Sequence, residues 1–385
     1  MPQSDWRPSS LAAQGLGWIE PESGAISPPI HMSSTYQRDA DNSYGSTGRC
    51  YIRDDNPSFD QAQALLTRLE GGAAALLFAS GMGAATAVFM ALRPGDHVVV
   101  PIAMYWALRN WLKTFAEPWG LAIDYVDMSD LDALRRAVRK GQTKLVWVET
   151  PANPMWSITD LAGAAEIAHA AGAKIAADST VATPVFCRPI EHGVDIVMHS
   201  ATKYLNGHSD LCAGALVAKE ADALWERIQF NRSKLGAIIG SFEAWLLLRG
   251  MRSLFPRVER SAMSAQAVAE RLAGHRHIAS VLYPGLKDFP GHAVAAKQMK
   301  GGFGGMLSIR VKGGEAAAIR TAAQLGLWKR ATSLGGTESL VEHRASIEGE
   351  GTPVPGDLLR LSVGLEDADD LTRDLAAALD RAHGN

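Results

Sequence analysis

Four apolar runs in this sequence are each followed directly by residues that could do chemistry. Short apolar runs bounded by turn residues are typical of buried strands. Because ligands bind beyond the carboxyl ends of strands in open α/β sheets, we expect the residues that follow these runs to form one site. They are Ser80, Gly81 and Met82 after Ala74–Ala79, Asn153 after Leu145–Val148, Asp178 after Ala173–Ala177, and Ser200, Thr202 and Lys203 after Ile196–His199.

This combination suits an anionic, aromatic cofactor that carries a carbonyl group, and we predict pyridoxal phosphate. A helix that begins at Ser80-Gly81-Met82 would present backbone N–H groups and the positive end of its dipole to the phosphate. Asp178 would keep the pyridine nitrogen protonated, and Lys203 would form the Schiff base. Taken singly, Asp178 could instead cap the following turn, and Lys203 could be a surface lysine.

Strand and helix patterns alternate along much of the chain, which predicts an α/β fold with a mostly parallel sheet and helices on both faces. We predict an N-terminal arm at residues 1–55, a cofactor-binding domain at 56–246 and a smaller α+β C-terminal domain at 247–385. The arm is rich in Ser, Pro, Gly and Asp and should be extended. Further expected elements are helices at Phe59–Leu69, Ala84–Leu92, Leu131–Val138, Leu161–Ala171, Glu315–Leu325 and Leu371–Ala382, a helical region from Gly240 to Leu272, and strands at His97–Val100 and Met306–Val311.

The composition narrows the class of protein. Of 385 residues, 47% are hydrophobic and 21% charged, which argues against a disordered chain, and a net charge of −3 argues against a nucleic-acid partner. The charge-free stretch 71–92 contains four glycines, which favours a strand, a turn and a helix over a membrane span. We expect no membrane partner, and the lack of a secretory-signal pattern favours the cytoplasm.

Cysteine and histidine patterns indicate no metal centre. Cys50, Cys187 and Cys212 form no CxxC pair, so neither a disulfide framework nor a cysteine zinc site is predicted. His275 and His277 are two residues apart and would not share a helix face, so we expect both at the surface.

The segment Asp195–Asp210, DIVMHSATKYLNGHSD, resembles the cofactor-lysine signature of the Cys/Met-metabolism pyridoxal-phosphate family. That family includes cystathionine γ-synthase, cystathionine γ-lyase, cystathionine β-lyase and methionine γ-lyase. The resemblance implies the pyridoxal-phosphate-dependent transferase fold of type I, which is aspartate-aminotransferase-like, and an enzyme of transsulfuration. It covers nearly the whole chain through Leu69–Gly72, Ser80–Met82, Glu149–Pro154, Ser333–Gly336, Glu338–Leu340 and Arg360–Asp367.

The resemblance also implies a role for each candidate residue. Lys203 would be the Schiff-base lysine that shuttles protons, Asp178 would pair with the pyridinium nitrogen, and Tyr105 would stack on the ring. A homo-oligomer is implied, with a dimer as the smallest active unit and a tetramer as the expected assembly. The remaining roles are phosphate binding by Gly81, Met82, Ser200 and Thr202, and by Tyr51 and Arg53 of a neighbouring subunit; contact with the ring hydroxyl by Asn153; and binding of the substrate α-carboxylate by Arg360 with Ser333.

Without the family, Tyr51 and Tyr105 would be assigned to packing, and Arg360 could be a surface ion pair. Two positions also depart from the family pattern. Tyr105-Trp106-Ala107-Leu108 replaces Tyr-Gly-x-Thr, and Thr332 precedes Ser333 where cystathionine γ-enzymes often have Glu and some β-lyases Tyr. Thr332 lacks the carboxylate that would attract a distal ammonium group, so we expect weak selectivity for cystathionine.

Two motifs favour chemistry at Cγ. Leu334 stands where β-lyases often carry Trp, and Asn56-Pro57 also looks more like the γ-enzymes. We therefore predict γ-elimination or γ-replacement on an amino acid derived from homoserine or homocysteine. Cystathionine β-lyase-type elimination is the alternative, and a non-catalytic relative is a remote one, because a binding protein needs no Schiff-base lysine.

Overall fold

The computed structural model describes residues 6–349 and 352–384 and divides the chain into two compact units. The first unit contains the chain up to Arg93 together with Asp195–Phe255, and the second contains Pro94–Val194 and the chain from Pro256 onward. These units do not follow the three predicted domains segment by segment. The three-domain division stays a prediction.

Helices and strands alternate through much of the described chain. The helices are α1 (Pro8–Gln14), α2 (Pro57–Glu70), α3 (Gly81–Met90), α4 (Trp106–Trp111), α5 (Glu117–Trp119), α6 (Leu131–Ala137), α7 (Leu161–Ala170), α8 (Thr183–Phe186), α9 (Ala223–Leu235), α10 (Ser241–Met251), α11 (Leu254–Leu272), α12 (His292–Gln298), α13 (Gly314–Ala323), α14 (Arg344–Glu348) and α15 (Ala368–Ala382). The strands are β1 (Ala74–Phe78), β2 (His97–Pro101), β3 (Ala122–Val126), β4 (Thr143–Glu149), β5 (Lys174–Asp178), β6 (Ile196–His199), β7 (Gly214–Ala218), β8 (Ile278–Leu282), β9 (Met306–Val311), β10 (Lys329–Arg330), β11 (Leu340–His343) and β12 (Leu358–Ser362).

In the second unit, four parallel strands carry the predicted α/β pattern. Their order is β5-β4-β2-β3, and neighbouring strands pair in parallel. All five residues of β2 are buried, as expected for a strand covered on both faces. The expected α/β class is therefore confirmed, and Glu149 and Asp178 lie opposite each other where β4 and β5 end.

A second sheet in the same unit has the order β10-β11-β12-β9-β8. Its β11, β12 and β9 strands are antiparallel, so one face can carry charged residues while the other packs in the core. On the core face, Leu307, Ile309 and Leu361 pack with side chains of α11, α13 and α15. Glu342 of β11 lies directly opposite Arg360 of β12.

In the first unit, β7 lies between β1 and β6 and runs antiparallel to both. The stretch 71–92 forms a strand, a turn and a helix, as predicted. Helix α2 begins where the Asn56 side chain accepts the Ser58 N–H at 2.9 Å and ends at Gly71, whose φ of 74° is left-handed. Among the described residues, no helix combines the length and the apolar character needed to cross a membrane.

The N-terminal arm differs from the extended prediction at its start. Leu11 and Ala12 of α1 are buried, and the Gln61 side chain of α2 donates to the Gly15 carbonyl at 2.7 Å. Apolar contacts with α2 therefore fold this short segment onto its own unit. Beyond it the chain is mostly irregular and exposed, and Ile26 and Met32 are 71% and 74% exposed.

Gly214 supplies the first testable prediction. A Cβ at this position would lie 2.1 Å from the Ser80 carbonyl oxygen, which belongs to backbone that cannot swing away. We expect Gly214→Ala to lower the free energy of unfolding by about 1–3 kcal/mol, as overpacking does in a dense core. Chemical unfolding against the parent protein would measure this. Gly45→Ala, at an exposed site with its nearest contact at 3.4 Å, is the matched control and should change little.

Candidate active site

In the first unit, the residues predicted to bind the phosphate meet at the start of α3. The Ser80 hydroxyl caps the helix by accepting the Gly83 N–H at 3.0 Å, while the first turn of any helix leaves N–H groups without helical acceptors. Ser200 packs directly against Gly81, where an added Cβ would lie 2.8 Å from the Ser200 Oγ. The close approach requires glycine, and it brings Ser200 to the helix start as predicted.

Lys203 and Thr202 lie in the turn that follows β6. Lys203 is half-buried, and its backbone N–H donates to the Ser200 carbonyl at 3.1 Å. The Thr202 hydroxyl accepts the Ala213 N–H at 2.9 Å and donates to the Ala213 carbonyl at 3.1 Å. Thr202 therefore ties this turn to the start of β7, and its predicted phosphate contact would have to replace or add to these bonds.

His199 and Glu70 form a fully buried pair that supports the same turn. Neither side chain received a role from the sequence. The His199 Nε2 lies 2.6 Å from the Glu70 Oε1, and both side chains are fully buried. His199 directly precedes Ser200, while Glu70 ends α2. The pair thus fixes the strand end that carries Ser200 and Lys203 to a helix 129 positions away in the chain.

Tyr51 and Arg53 lie in the exposed arm of the first unit. The Arg53 guanidinium lies 5.4 Å from the centre of the Tyr51 ring, and Tyr51 is 42% exposed. Tyr51 also pairs with Thr35 in an isolated bridge. The two predicted phosphate residues thus lie together on an accessible surface.

In the second unit, Glu149 holds two predicted site residues. One carboxylate oxygen accepts the Tyr105 backbone N–H at 2.7 Å, and the other accepts the Asn153 backbone N–H at 2.9 Å. The Glu149 side chain is nearly fully buried, so each of these bonds replaces water that the carboxylate has lost. Glu149 belongs to the motif Glu149–Pro154 but received no role from the sequence.

The pKa of Glu149 differs from that of an ordinary glutamate. Burial, together with the neighbouring Asp178 carboxylate, raises the pKa of Glu149 to about 8. Asp178 is half-buried, and one of its oxygens accepts the Thr180 N–H at 3.0 Å. Asp178 therefore does cap the following turn, and because a carboxylate has two oxygens this cap is compatible with a role at the cofactor.

Buried contacts also fix the loop that carries Asn153. Trp156 is fully buried, and its indole N–H donates to the Ser308 hydroxyl at 2.9 Å. Ser308, on β9, donates in turn to the Pro154 carbonyl at 2.8 Å. The loop after β4 is thereby anchored to the sheet that carries Arg360.

Arg360, a predicted substrate residue, is buried and is held by several neighbouring groups. Its side chain is 5% exposed, and its NH2 group lies 2.7 Å from the Glu342 Oε2 and donates to the Ser333 carbonyl at 2.7 Å. Its NH1 group donates to the Asn153 Oδ1 at 3.4 Å. A surface ion pair is thus excluded, and the structure brings Arg360, Ser333 and Asn153 together.

Burial lowers the pKa of Arg360 to about 10, although the Glu342 carboxylate opposes the shift. Burial acts to raise the pKa of Glu342, but the Arg360 guanidinium, the Thr332 hydroxyl and the Arg344 guanidinium together hold it below its usual value. Burial also raises the pKa of Tyr105, which is 43% exposed, while Arg344 and Arg360 oppose that shift. The Arg360 surroundings therefore favour a charged pair with Glu342.

One of the residues that depart from the family pattern has a structural explanation. Leu108 is 2% exposed, so it is a core residue of α4 rather than a polar group. Thr332 is exposed, and its hydroxyl lies near the Glu342 carboxylate. The sequence did not indicate that Glu342 belongs to this site, because it lies on a separate strand.

The surface prediction for His275 and His277 is wrong in part. Both are half-buried, and the His277 ring stacks on His383 with centroids 4.0 Å apart. The helix α15 that leads to His383 supplies this cover. Within the described part of the chain, no group of three or more His, Cys, Asp or Glu side chains could hold a metal ion.

Glu149 generates a prediction for the cofactor-free protein. Because its pKa in the folded state exceeds the ordinary value of 4.5, the folded state binds more protons than the unfolded chain between about pH 4.5 and 8. Stability should fall as pH rises through this window, by up to about 1.4 kcal/mol per pH unit from this one group. Glu149→Gln should flatten that slope in urea titrations at several pH values. An unchanged slope would show that Glu149 does not titrate there.

The chain is similar to known proteins along nearly its whole length. The family model for Cys/Met metabolism PLP-dependent enzymes matches residues 13–380. Cystathionine γ-synthase of Mycobacterium tuberculosis is 43% identical over 94% of this chain and 93% of its own length. Cystathionine β-lyase of Coxiella burnetii is 39% identical over 94% of each.

Similarity extends to solved structures. A cystathionine γ-synthase from Xanthomonas oryzae pv. oryzae, crystallised with cystathionine, superposes with a TM-score of 0.93 at 38% identity, over 98% of this chain and 99% of that one. The fold class, the enzyme class and the cofactor expected from the sequence are thereby confirmed. This chain belongs to the family of Cys/Met-metabolism enzymes that depend on pyridoxal phosphate.

Proposed function

We propose that this chain catalyses γ-elimination or γ-replacement on an amino acid derived from homoserine or homocysteine. The observation that carries the proposal is the buried Arg360, held between Glu342, Ser333 and Asn153 in the same unit as Tyr105 and Asp178. A planar guanidinium fixed by other groups suits a substrate carboxylate. The 43% identity to a γ-synthase supports chemistry at Cγ.

The residues present fit pyridoxal phosphate. Gly81 and Met82 open the ten-residue helix α3, and Ser200 packs so closely on Gly81 that a Cβ there would displace it, so a phosphate can approach the backbone and a hydroxyl together. Bound pyridoxal phosphate supplies an electron sink for the charge left at the substrate Cα. Tyr105 is 43% exposed, which leaves ring surface for stacking.

The chain's own residues then move protons and hold charges. Lys203 would hold the cofactor, and its amine would take the proton from the substrate Cα. Asp178 would keep the proton on the pyridine nitrogen, and Arg360 would fix the substrate α-carboxylate. In γ-chemistry a proton must also leave Cβ before the group on Cγ departs, and the flexible Lys203 amine can serve both steps.

Leu334 and Thr332 bear on the type of elimination. Leu334 is 7% exposed, so the position where β-lyases often carry Trp is filled by a core side chain. The Glu342 carboxylate near Thr332 is shared between Arg360 and Arg344, which leaves it little charge for a distal ammonium group. Weak turnover of cystathionine therefore remains part of the proposal, and β-elimination is the alternative.

The keto acid released identifies the reaction. With an O-acylated homoserine, we expect 2-oxobutanoate, or a thioether product when a thiol is added, because the bond to Cγ breaks. Cystathionine should react more slowly and also give 2-oxobutanoate. Chromatography of the derivatised keto acids would distinguish the products, with Lys203→Ala as the inactive control. Pyruvate as the sole keto acid across these substrates would establish the β-lyase alternative.

We also propose that the active unit is a dimer, within a tetramer, in which the arm of one subunit serves the neighbour's phosphate. The exposed Tyr51 and Arg53 pair and the exposed apolar arm residues Ile26 and Met32 support this, because such a segment needs another surface. Cys50, Cys187 and Cys212 form no disulfide with one another, in keeping with the cytoplasmic location that we also propose.

Mixed dimers test the shared site. Neither Arg53→Ala nor Lys203→Ala subunits should be fully active alone, because the first loses phosphate contact and the second loses the covalent lysine. After random mixing, half of the dimers carry one of each, and one of their two sites is intact, so activity should recover to about a quarter of the parent value. The assay uses refolded mixtures at equal concentrations. No recovery in verified heterodimers would place Arg53 in its own subunit's site, and full activity of Arg53→Ala alone would remove it from the site.

A further inference from the structure

A buried row of alternating charges extends behind Arg360. Glu342 Oε2 lies 2.7 Å from Arg360 NH2 and 2.9 Å from Arg344 NH1. Arg344 NH2 lies 3.1 Å from Glu348 Oε1, and Glu348 Oε2 lies 3.3 Å from Arg109 NH2. The first four side chains are at most 5% exposed, and Arg109 is 14% exposed.

One oxygen of Glu342 therefore serves two cations. The NH2 group of Arg360 is ion-paired with Glu342 and donates to the Ser333 carbonyl, while NH1 makes only the long contact of 3.4 Å with Asn153. A substrate carboxylate would therefore be held mainly by the NH1 and Nε groups of Arg360. The attraction between Arg360 and the substrate carboxylate depends on how strongly Glu342 neutralises the guanidinium. Three arginines and two glutamates give the row a charge of +1.

We propose that Arg344 is a positioning residue that sets the affinity for the substrate α-carboxylate by competing with Arg360 for the Glu342 carboxylate. Without Arg344, Glu342 would bind Arg360 alone, the row would become neutral, and the incoming carboxylate would have to compete with Glu342. Glu348 has the opposite effect, because it draws Arg344 away from Glu342. The inference rests on the proposed role of Arg360 at the substrate carboxylate.

Two variants with opposite expected signs separate this inference from a packing role. Arg344→Met keeps an unbranched apolar stem but removes the guanidinium and its charge, and should weaken glycine binding by about tenfold, the size of one buried charged interaction. Glu348→Gln keeps the shape, raises the charge of the row, and should tighten glycine binding by roughly threefold. Arg310→Met removes an arginine paired with Asp357 on the same sheet, away from the row, and is the matched control.

The measurement is a titration of the holoenzyme with glycine, followed by the visible absorbance of the bound cofactor. Glycinamide, which lacks the carboxylate, should bind all variants alike. With the reacting substrate, Arg344→Met should raise KM and leave kcat within about twofold, since the interaction is made equally in the ground and transition states.

The variants test the role of Arg344 and the role of Arg360 separately. Parental glycine affinity in Arg344→Met, or weakened affinity in Glu348→Gln, would overturn the role of Arg344, and so would equal losses for glycine and glycinamide. If Arg344→Met fails to fold, the sign of the Glu348→Gln effect still decides. Arg360→Lys is the test of the proposed function itself, because parental glycine affinity there would remove Arg360 from the carboxylate site.

Discussion

Burying a guanidinium is the constraint on which the second unit depends. Arg360 lies in a sheet strand with almost no exposure, and an unpaired charge there would cost several kcal/mol, about 3–5 when a single partner is removed. The cross-strand register places Glu342 directly opposite it, and the Ser333 carbonyl approaches from the loop before β11. Ser333 has a φ of 113°, a left-handed value that is strained for serine and that the contact with Arg360 helps to hold.

A carboxylate organises the strand ends in the same unit. Parallel pairing of β4 and β5 brings Glu149 beside Asp178, and the cost of two adjacent acids is offset by the Tyr105 and Asn153 N–H donors. These two bonds fix the backbone of Tyr105 and of Asn153 without using either side chain. The side chains of Tyr105 and Asn153 thus remain available to cofactor and substrate, and Asn153 also contacts Arg360.

Local sequence predicted the elements that carry the site. The strand ends at Ala79, Val148, Ala177 and His199 were each within a residue or two of the observed ends, because apolar runs and turn residues mark them directly. The partners could not be predicted, because they depend on tertiary contacts between distant residues. Glu342 pairs across strands, Glu70 meets His199 from 129 positions away, and β7 enters antiparallel between two strands. The helix α1 was missed because its seven residues are too few to show a clear period, and so short a helix is stable only when packed on α2.

The central claim is that this chain holds pyridoxal phosphate on Lys203. Borohydride reduction of the holoenzyme, proteolysis and mass spectrometry would locate the attached group directly. The account predicts loss of visible absorbance and a single modified peptide, with the added mass on Lys203. Modification of a different lysine, or a protein that stays colourless and unmodified after pyridoxal phosphate is added, would contradict it.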